Sequence, residues 1–201
     1  MQIDSDFEFQ IKLMLVGDSG VGKTNFIFQF TEGKFSTAHV ATIGFDYKSK
    51  IIKIPNIKKK VKLQIWDTAG QERYMSLNKN LFHKVQGIVL MYDLTNRDSF
   101  EHVRNWLNLI SQITSKKPII LVGNKLDLED EKRIVTEEEG QKLAKDNNIL
   151  HFEGSGATGQ NVDTIFETIA EIIYGNLIDD RSENMYTNIH KNKNNKNKGC
   201  C

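Results

Sequence analysis

Apolar and polar positions along this 201-residue chain follow two alternating rhythms. Short apolar runs recur at Phe9 to Val16, Gly87 to Tyr92, Pro118 to Val122 and Ile149 to Phe152. Runs of this length bounded by turn residues read as buried strands. Between them lie amphipathic stretches of helical period. The first runs from about Lys23 to Phe30. The second, from about Ser99 to Ser115, places Val103, Trp106, Leu107 and Ile110 on one face. A third follows Thr136, where Thr136 and Glu139 form a capping-box pattern, and ends near Asp146. The last, from about Val162 to Tyr174, turns Ile165, Ile169, Ile172 and Ile173 to one side. Phe45 to Ile54 and Val61 to Trp66 are two further β-rich runs. Pro55-Asn56 and Lys58-Lys59-Lys60 between them predict a hairpin. Residues 31–44 have no period and read as a loop. No internal repeat is visible. Strands alternating with helices predict an α/β fold with a largely parallel sheet.

After about Asn176 this rhythm stops. Residues 185–201 hold four lysines, five asparagines, no acidic residue, and no Leu, Val, Phe or Trp. Such a segment cannot bury enough apolar surface to offset its ordering entropy, so a disordered tail is expected. The division is a short extension over 1–7, one domain over 8–176 and the tail over 177–201. The tail changes the meaning of the net charge. Overall, 27 basic residues face 26 acidic ones, a net of +1, which argues against a dedicated nucleic-acid binder. Residues 1–184 carry 23 of the basic and all the acidic residues, a net of −3, and the tail carries +4.

The only cysteines, Cys200 and Cys201, are the last two residues, so no disulfide staples the body. The stretch Met1-Gln2-Ile3-Asp4-Ser5-Asp6 lacks the apolar segment of a signal peptide, and Gln2 excludes N-myristoylation. The apolar runs are too short to span a bilayer. A cytosolic body is therefore expected.

Three motifs carry chemistry, each after a predicted strand. Gly17-Asp18-Ser19-Gly20-Val21-Gly22-Lys23-Thr24 fits G-x-x-x-x-G-K-[ST] between a strand and a helix. Its backbone N–H groups, through Ser19, Gly20, Val21 and Gly22, can converge on phosphate oxygens with the help of the helix N-terminus. Lys23 adds positive charge at the β- and γ-phosphates, and Thr24 offers a hydroxyl to Mg²⁺. Asp67-Thr68-Ala69-Gly70 supplies a carboxylate suited to Mg²⁺, often through water, and Gly70 can present its N–H to a γ-phosphate. Asn124-Lys125-Leu126-Asp127 ends in an acceptor-only carboxylate. Asp127 can accept from the ring N–H and exocyclic amine of guanine, whereas adenine would present a lone pair there. The order of the motifs and their strand-end positions match how open α/β sheets bind ligands. A P-loop ATPase or kinase is the competing reading, and Asp127 argues against it.

With these motifs in place, the chain resembles a small GTPase of the Ras superfamily, and specifically the Rab family, over roughly residues 8–175 and the tail end. Ile43-Gly44-Phe45-Asp46-Tyr47 resembles the Rab switch I motif. Lys62-Leu63-Gln64-Ile65-Trp66 running into Asp67-Thr68-Ala69-Gly70-Gln71-Glu72-Arg73 is similar to Rab switch II. Leu90-Met91-Tyr92-Asp93-Leu94-Thr95 and Asn105-Trp106-Leu107 also look Rab-like, and the double cysteine resembles a site for two geranylgeranyl groups.

The resemblance implies a P-loop NTPase-type three-layer fold. Its sheet would have six strands, mostly parallel with one antiparallel, and helices on both faces. It implies a GTPase that alternates between GTP and GDP with Mg²⁺ as cofactor. Thr42 would join Thr24 and Asp67 at the metal and sense the γ-phosphate. Gln71 would orient the attacking water, and Lys23 would assist catalysis. Phe35 would pack on guanine, and Asn124, Lys125, Asp127, Ser155 and Gly156 would bind the base. Residues 31–50 contain no arginine, so slow intrinsic turnover is expected.

The implied partners are guanine nucleotide, an exchange factor, a GTPase-activating protein, effectors, and proteins of the prenyl-delivery and GDP-dissociation-inhibitor types. The implied setting is intracellular vesicle trafficking, with a monomer at the cytoplasmic face of a membrane, held by lipid on Cys200 and Cys201, and a cytosolic pool. As a flexible coil the tail would average about 25–30 Å end to end. The alternative is a nucleotide-dependent binding module with negligible hydrolysis, against which Gln71 argues. Two departures from the family pattern stand out. Ser155-Gly156-Ala157 lacks the usual lysine, which predicts faster nucleotide release. Leu81-Phe82-His83-Lys84-Val85 leaves Tyr47, Trp66 and Leu81 as the effector-facing trio, which should alter partner choice.

Overall fold

The computed structural model describes residues 7–36, 45–54, 59–68, 79–114, 117–128 and 132–178. Twelve segments build it. In chain order they are β1 (Phe9–Val16), α1 (Lys23–Glu32), β2 (Phe45–Ile54), β3 (Lys59–Thr68), α2 (Lys79–Lys84), β4 (Gly87–Asp93), α3 (Arg97–Glu101), α4 (Val103–Ile113), β5 (Ile119–Asn124), α5 (Glu137–Asp146), β6 (Leu150–Gly154) and α6 (162–178). A 3-10 turn, Leu126–Leu128, follows β5.

One six-stranded sheet has the order β2-β3-β1-β4-β5-β6. β1 pairs in parallel with β3 on one side and β4 on the other. β4 with β5, and β5 with β6, are also parallel. β2 alone runs antiparallel, in register with β3 from Phe45↔Thr68 to Ile54↔Lys59. The expected mostly parallel six-stranded α/β sheet with one antiparallel strand is what forms. Its connections leave β1 in opposite directions, which opens a crevice at the carboxyl end of that strand.

Side-chain alternation along each strand feeds two cores. Ile11, Leu13 and Leu15 of β1 join Val89 and Met91 of β4 under α1 and α6, against Phe26, Phe30, Phe166 and Ile169. Met14 and Val16 face the other way with Ile88, Leu90 and Tyr92, against Val103, Trp106 and Ile110 of α4, Phe82 before β4, and Leu143 of α5. Apolar residues on both faces explain why β4 is buried at every position. Among the described residues, no helix is long and apolar enough to cross a membrane.

Several boundaries differ from the sequence expectation. The predicted helix from Ser99 begins at Arg97, because the Asn96 side chain accepts from Ser99 N and caps it. It is divided at His102 into α3 and α4, although His102 keeps right-handed helical angles. α4 ends at Ile113, where Thr114 turns extended. β3 is longer than predicted because it pairs with β2 over ten residues. β5 reaches Asn124 and β6 reaches Gly154, each two residues beyond the expected end. α1 extends to Glu32, where Gly33 takes the left-handed angle of a helix C-cap. α2 and the 3-10 turn had no predicted counterpart. The capping box at Thr136 and Glu139 forms as expected.

Candidate functional site

The strand-end motifs meet at the β1 crevice. β1 ends at Val16, and the chain turns through Gly17, Gly20 and Gly22 at φ of 138°, 80° and 97° before α1 begins. These left-handed angles favour glycine. At Gly17 a Cβ would lie 2.1 Å from the Met91 carbonyl oxygen, and at Gly22 one would lie 2.5 Å from Asn124 Nδ2. The loop therefore packs directly on the ends of β4 and β5.

No side chain caps the start of α1, and its first turn carries no acidic residue. An uncapped helix N-terminus is a ready anion site. Ser19 and Gly20 are exposed, Gly22 is half-buried and Val21 is buried. Lys23 is 5% exposed, and its Nζ donates to the Gly17 and Asp18 carbonyl oxygens, both at 2.8 Å. Burial lowers its pKa to about 8, against the opposing pull of Asp67 and Asp18. A buried ammonium beside a glycine cradle suits an oligophosphate, whose negative charge would favour the charged form further.

Thr24 Oγ1 donates to Asp67 Oδ2 at 2.6 Å, with Asp67 buried at the end of β3. Two hard oxygen donors side by side suit Mg²⁺. No group of three or more His, Cys, Asp or Glu able to hold a metal exists among the described residues.

Across the crevice lie the residues expected to read the base. Asn124, the last residue of β5, is a buried brace: its Nδ2 donates to the Val21 carbonyl at 2.8 Å, and its Oδ1 accepts from Gly156 N at 3.0 Å. It thus joins the phosphate loop to the loop after β6. Lys125 adopts φ 72° and pairs with Asp93 Oδ2 at 2.5 Å. Asp127 sits exposed in the 3-10 turn, and its Oδ1 accepts from Ser155 Oγ at 2.5 Å. Ser155 is fully buried, and its Oγ also accepts from Ala157 N and Thr158 N, both at 3.1 Å. Asp127 and the amide-rich turn beyond Ser155 are held at one edge, where a donor–acceptor base edge can be read.

Phe35 lies just past α1 and is 48% exposed. The segment is tied back by Asn25, whose Nδ2 donates to the Ser36 carbonyl at 2.8 Å and whose Oδ1 accepts from Ser36 N at 3.3 Å. Thr42, Gly70, Gln71, Cys200 and Cys201 lie outside the described residues. Beside the crevice, Tyr47 and Trp66 face each other across β2 and β3 with ring centroids 5.0 Å apart, and Leu81 packs on the second core with Trp66.

Sequence reasoning missed Asp18, Asn25, Asp93 and His102. Asp18 occupies a variable position of its motif, so spacing gave no signal. Asp93 and Asn25 act through partners that only the fold brings near.

The description "Ras family" matches residues 12–175. The chain is similar to "Ras-related protein RAB1BV" of Beta vulgaris, 43% identical over 176 residues, spanning 87% of this chain and 81% of the relative. It is 38% identical to "Ras-related protein Rab-10" of Caenorhabditis elegans over 199 residues, spanning 97% and 98%. It is 42% identical to "Ras-related protein Rab-27B" of Homo sapiens over 180 residues, spanning 85% and 82%. A phosphate loop, a strand-end Thr–Asp pair and a buried Asn brace on this sheet, with relatives of that closeness, place the chain in the Rab family of small GTPases within the Ras superfamily.

Proposed function

We propose that this GTPase is a membrane-anchored switch, read by effectors in its GTP form and silent in its GDP form, in intracellular vesicle trafficking. The supporting observation is the convergence of three strand-end motifs on one crevice, around an uncapped helix N-terminus and a buried lysine.

Guanine nucleotide would lie with its phosphates on Ser19 to Thr24 and its base between Phe35, Lys125, Asp127 and the Ser155-Gly156 turn. Lys23 would offset charge on the β- and γ-phosphates. Thr24 and Asp67, with Thr42, would hold Mg²⁺, which when bound supplies further positive charge there. Gln71 would orient the attacking water. Thr42 and Gly70 would tie two loops to the γ-phosphate, so that its loss releases both. Residues 8–176 form the switch domain in this reading. The nearby surface of Tyr47, Trp66 and Leu81 would change partners with nucleotide state. Exchange factors, GTPase-activating proteins, prenyl-delivery and GDP-dissociation-inhibitor type proteins complete the partner set.

Two lipid chains on Cys200 and Cys201, beside the basic tail, would anchor the protein stably to a cytoplasmic membrane face, where one chain would not. Expression in a eukaryotic host tests this. Intact mass should show two prenyl groups, and Cys200→Ser with Cys201→Ser should move the protein from the membrane to the soluble fraction. An unmodified mass, or an unchanged distribution, would overturn the anchor.

A further inference from the structure

The phosphate loop is pinned at its two flanks by the sheet. Gly17 lies against the end of β4, and Val21 and Gly22 lie against Asn124 of β5. In the stretch between them, Ser19 and Gly20 are exposed, and a Cβ on Gly20 would meet nothing within 4 Å. Asp18 is the side chain that tethers this stretch to the body, through residues more than eighty positions away. Its Oδ1 accepts from Trp106 Nε1 at 2.8 Å, and its Oδ2 lies 2.6 Å from His102 Nδ1. Trp106 is buried in α4, whereas the His102 side chain is half exposed where α3 meets α4. The carbonyl of the same Asp18 accepts from Lys23 Nζ.

We propose that Trp106 and His102 are positioning residues that clamp Asp18, hold the phosphate loop in shape and slow release of a nucleoside diphosphate. The inference rests on the phosphate site proposed above.

Two physical effects support it. A carboxylate with both oxygens engaged keeps one rotamer, so the 18–19 peptide and the acceptor of Lys23 stay in place. The clamp also occupies both oxygens of a negative charge that lies near Lys23. Asp18 is close enough to Lys23 to act on its charge, and without its donors it would compete with phosphate for that ammonium. The second effect makes a distinctive prediction. Removing a donor harms retention, and neutralising Asp18 in the same protein restores part of it.

The experiment uses the full chain loaded with GDP and Mg²⁺, and with IDP, which lacks the exocyclic amine. Trp106→Phe and His102→Ala should each speed GDP release several-fold, and together about 10-fold or more. IDP release should rise by the same factor, since the base end is untouched. The ³¹P resonance of the bound β-phosphate should move. Asp18→Asn combined with Trp106→Phe should release GDP more slowly than Trp106→Phe alone. His102→Ala changes a half-exposed side chain and keeps the test valid if Trp106→Phe fails to fold. Wild-type release rates with an unmoved ³¹P signal would overturn the clamp. So would faster release without any Asp18→Asn rescue, since that pattern marks lost packing. A wild-type chain that retains no GDP would overturn the phosphate-site reading itself, and the clamp with it.

Discussion

At the base end of the crevice, Asn124, Gly156, Asp127 and Ser155 hold one another through hydrogen bonds of 2.5–3.0 Å. At the phosphate end, Lys23 is just as deeply placed but rests on backbone carbonyls, and burial drags its pKa to about 8. The residues expected to read the base satisfy one another within the protein. Lys23 is a desolvated charge whose best partner, in the proposed reading, would be a phosphate. In the proposed reading, selectivity and affinity would therefore be separable, one residing in a hydrogen-bonded frame and the other in a charge whose burial is only partly offset.

The strongest way to break this comparison is Lys23→Met. The substitution removes a buried charge, so the nucleotide-free protein should melt several degrees higher, while GDP binding should weaken about 100-fold or more. Thermal melts in chelator and competition against a fluorescent GDP analogue read both effects. A fall in both quantities would mean that Lys23 is an ordinary structural residue.

Asp127→Asn addresses the other end and should have a smaller effect. It replaces an acceptor with an amide N–H facing the guanine amine, so GDP affinity should drop about 10–100-fold, and IDP affinity should drop less. Competition titrations with the two nucleotides measure the ratio. Equal losses would remove Asp127 from base reading.

The smallest effect lies behind both ends. His151 Nε2 is 3.0 Å from the Tyr92 hydroxyl, and a Cβ on Gly140 would crowd its ring at 2.5 Å. Burial holds the His151 pKa below its ordinary 6.5, ahead of the opposing pull of Glu153. The unfolded chain therefore takes up this proton at a higher pH than the native one, and native stability falls as pH drops below about 6.5. The urea midpoint should be lower at pH 5.5 than at pH 7.5, and His151→Gln should flatten the difference. An unchanged slope in the variant would assign the pH dependence to other groups.

The sheet was legible because β4 and β5 carry apolar runs and β1 and β3 alternate apolar with polar residues. The antiparallel pair was legible because Pro55-Asn56 separates two β-rich runs, although Lys59 and Lys60, expected between the strands, belong to β3. Strand ends were less legible. Asn124 and Gly154 are polar or small, yet they pair because their partners in β4 and β5 continue. α2 is six residues long, too short for a period to show. The expected site residues at 19–24, 67, 124, 125, 127, 155 and 156 gather at one crevice, because their motifs encode backbone geometry and fixed spacing. Asp18 with His102 and Trp106, and Lys125 with Asp93, were not legible, since each partner is ordinary in its own stretch of sequence and tertiary folding alone joins them.

Single-turnover hydrolysis of GTP tests the proposed role of Gln71 in orienting the attacking water. The expected result is slow, Mg²⁺-dependent release of phosphate from GTP, no effect of excess ATP, and loss of turnover in Gln71→Leu with GTP binding retained. Normal turnover in Gln71→Leu, or displacement of GTP by ATP, would contradict it.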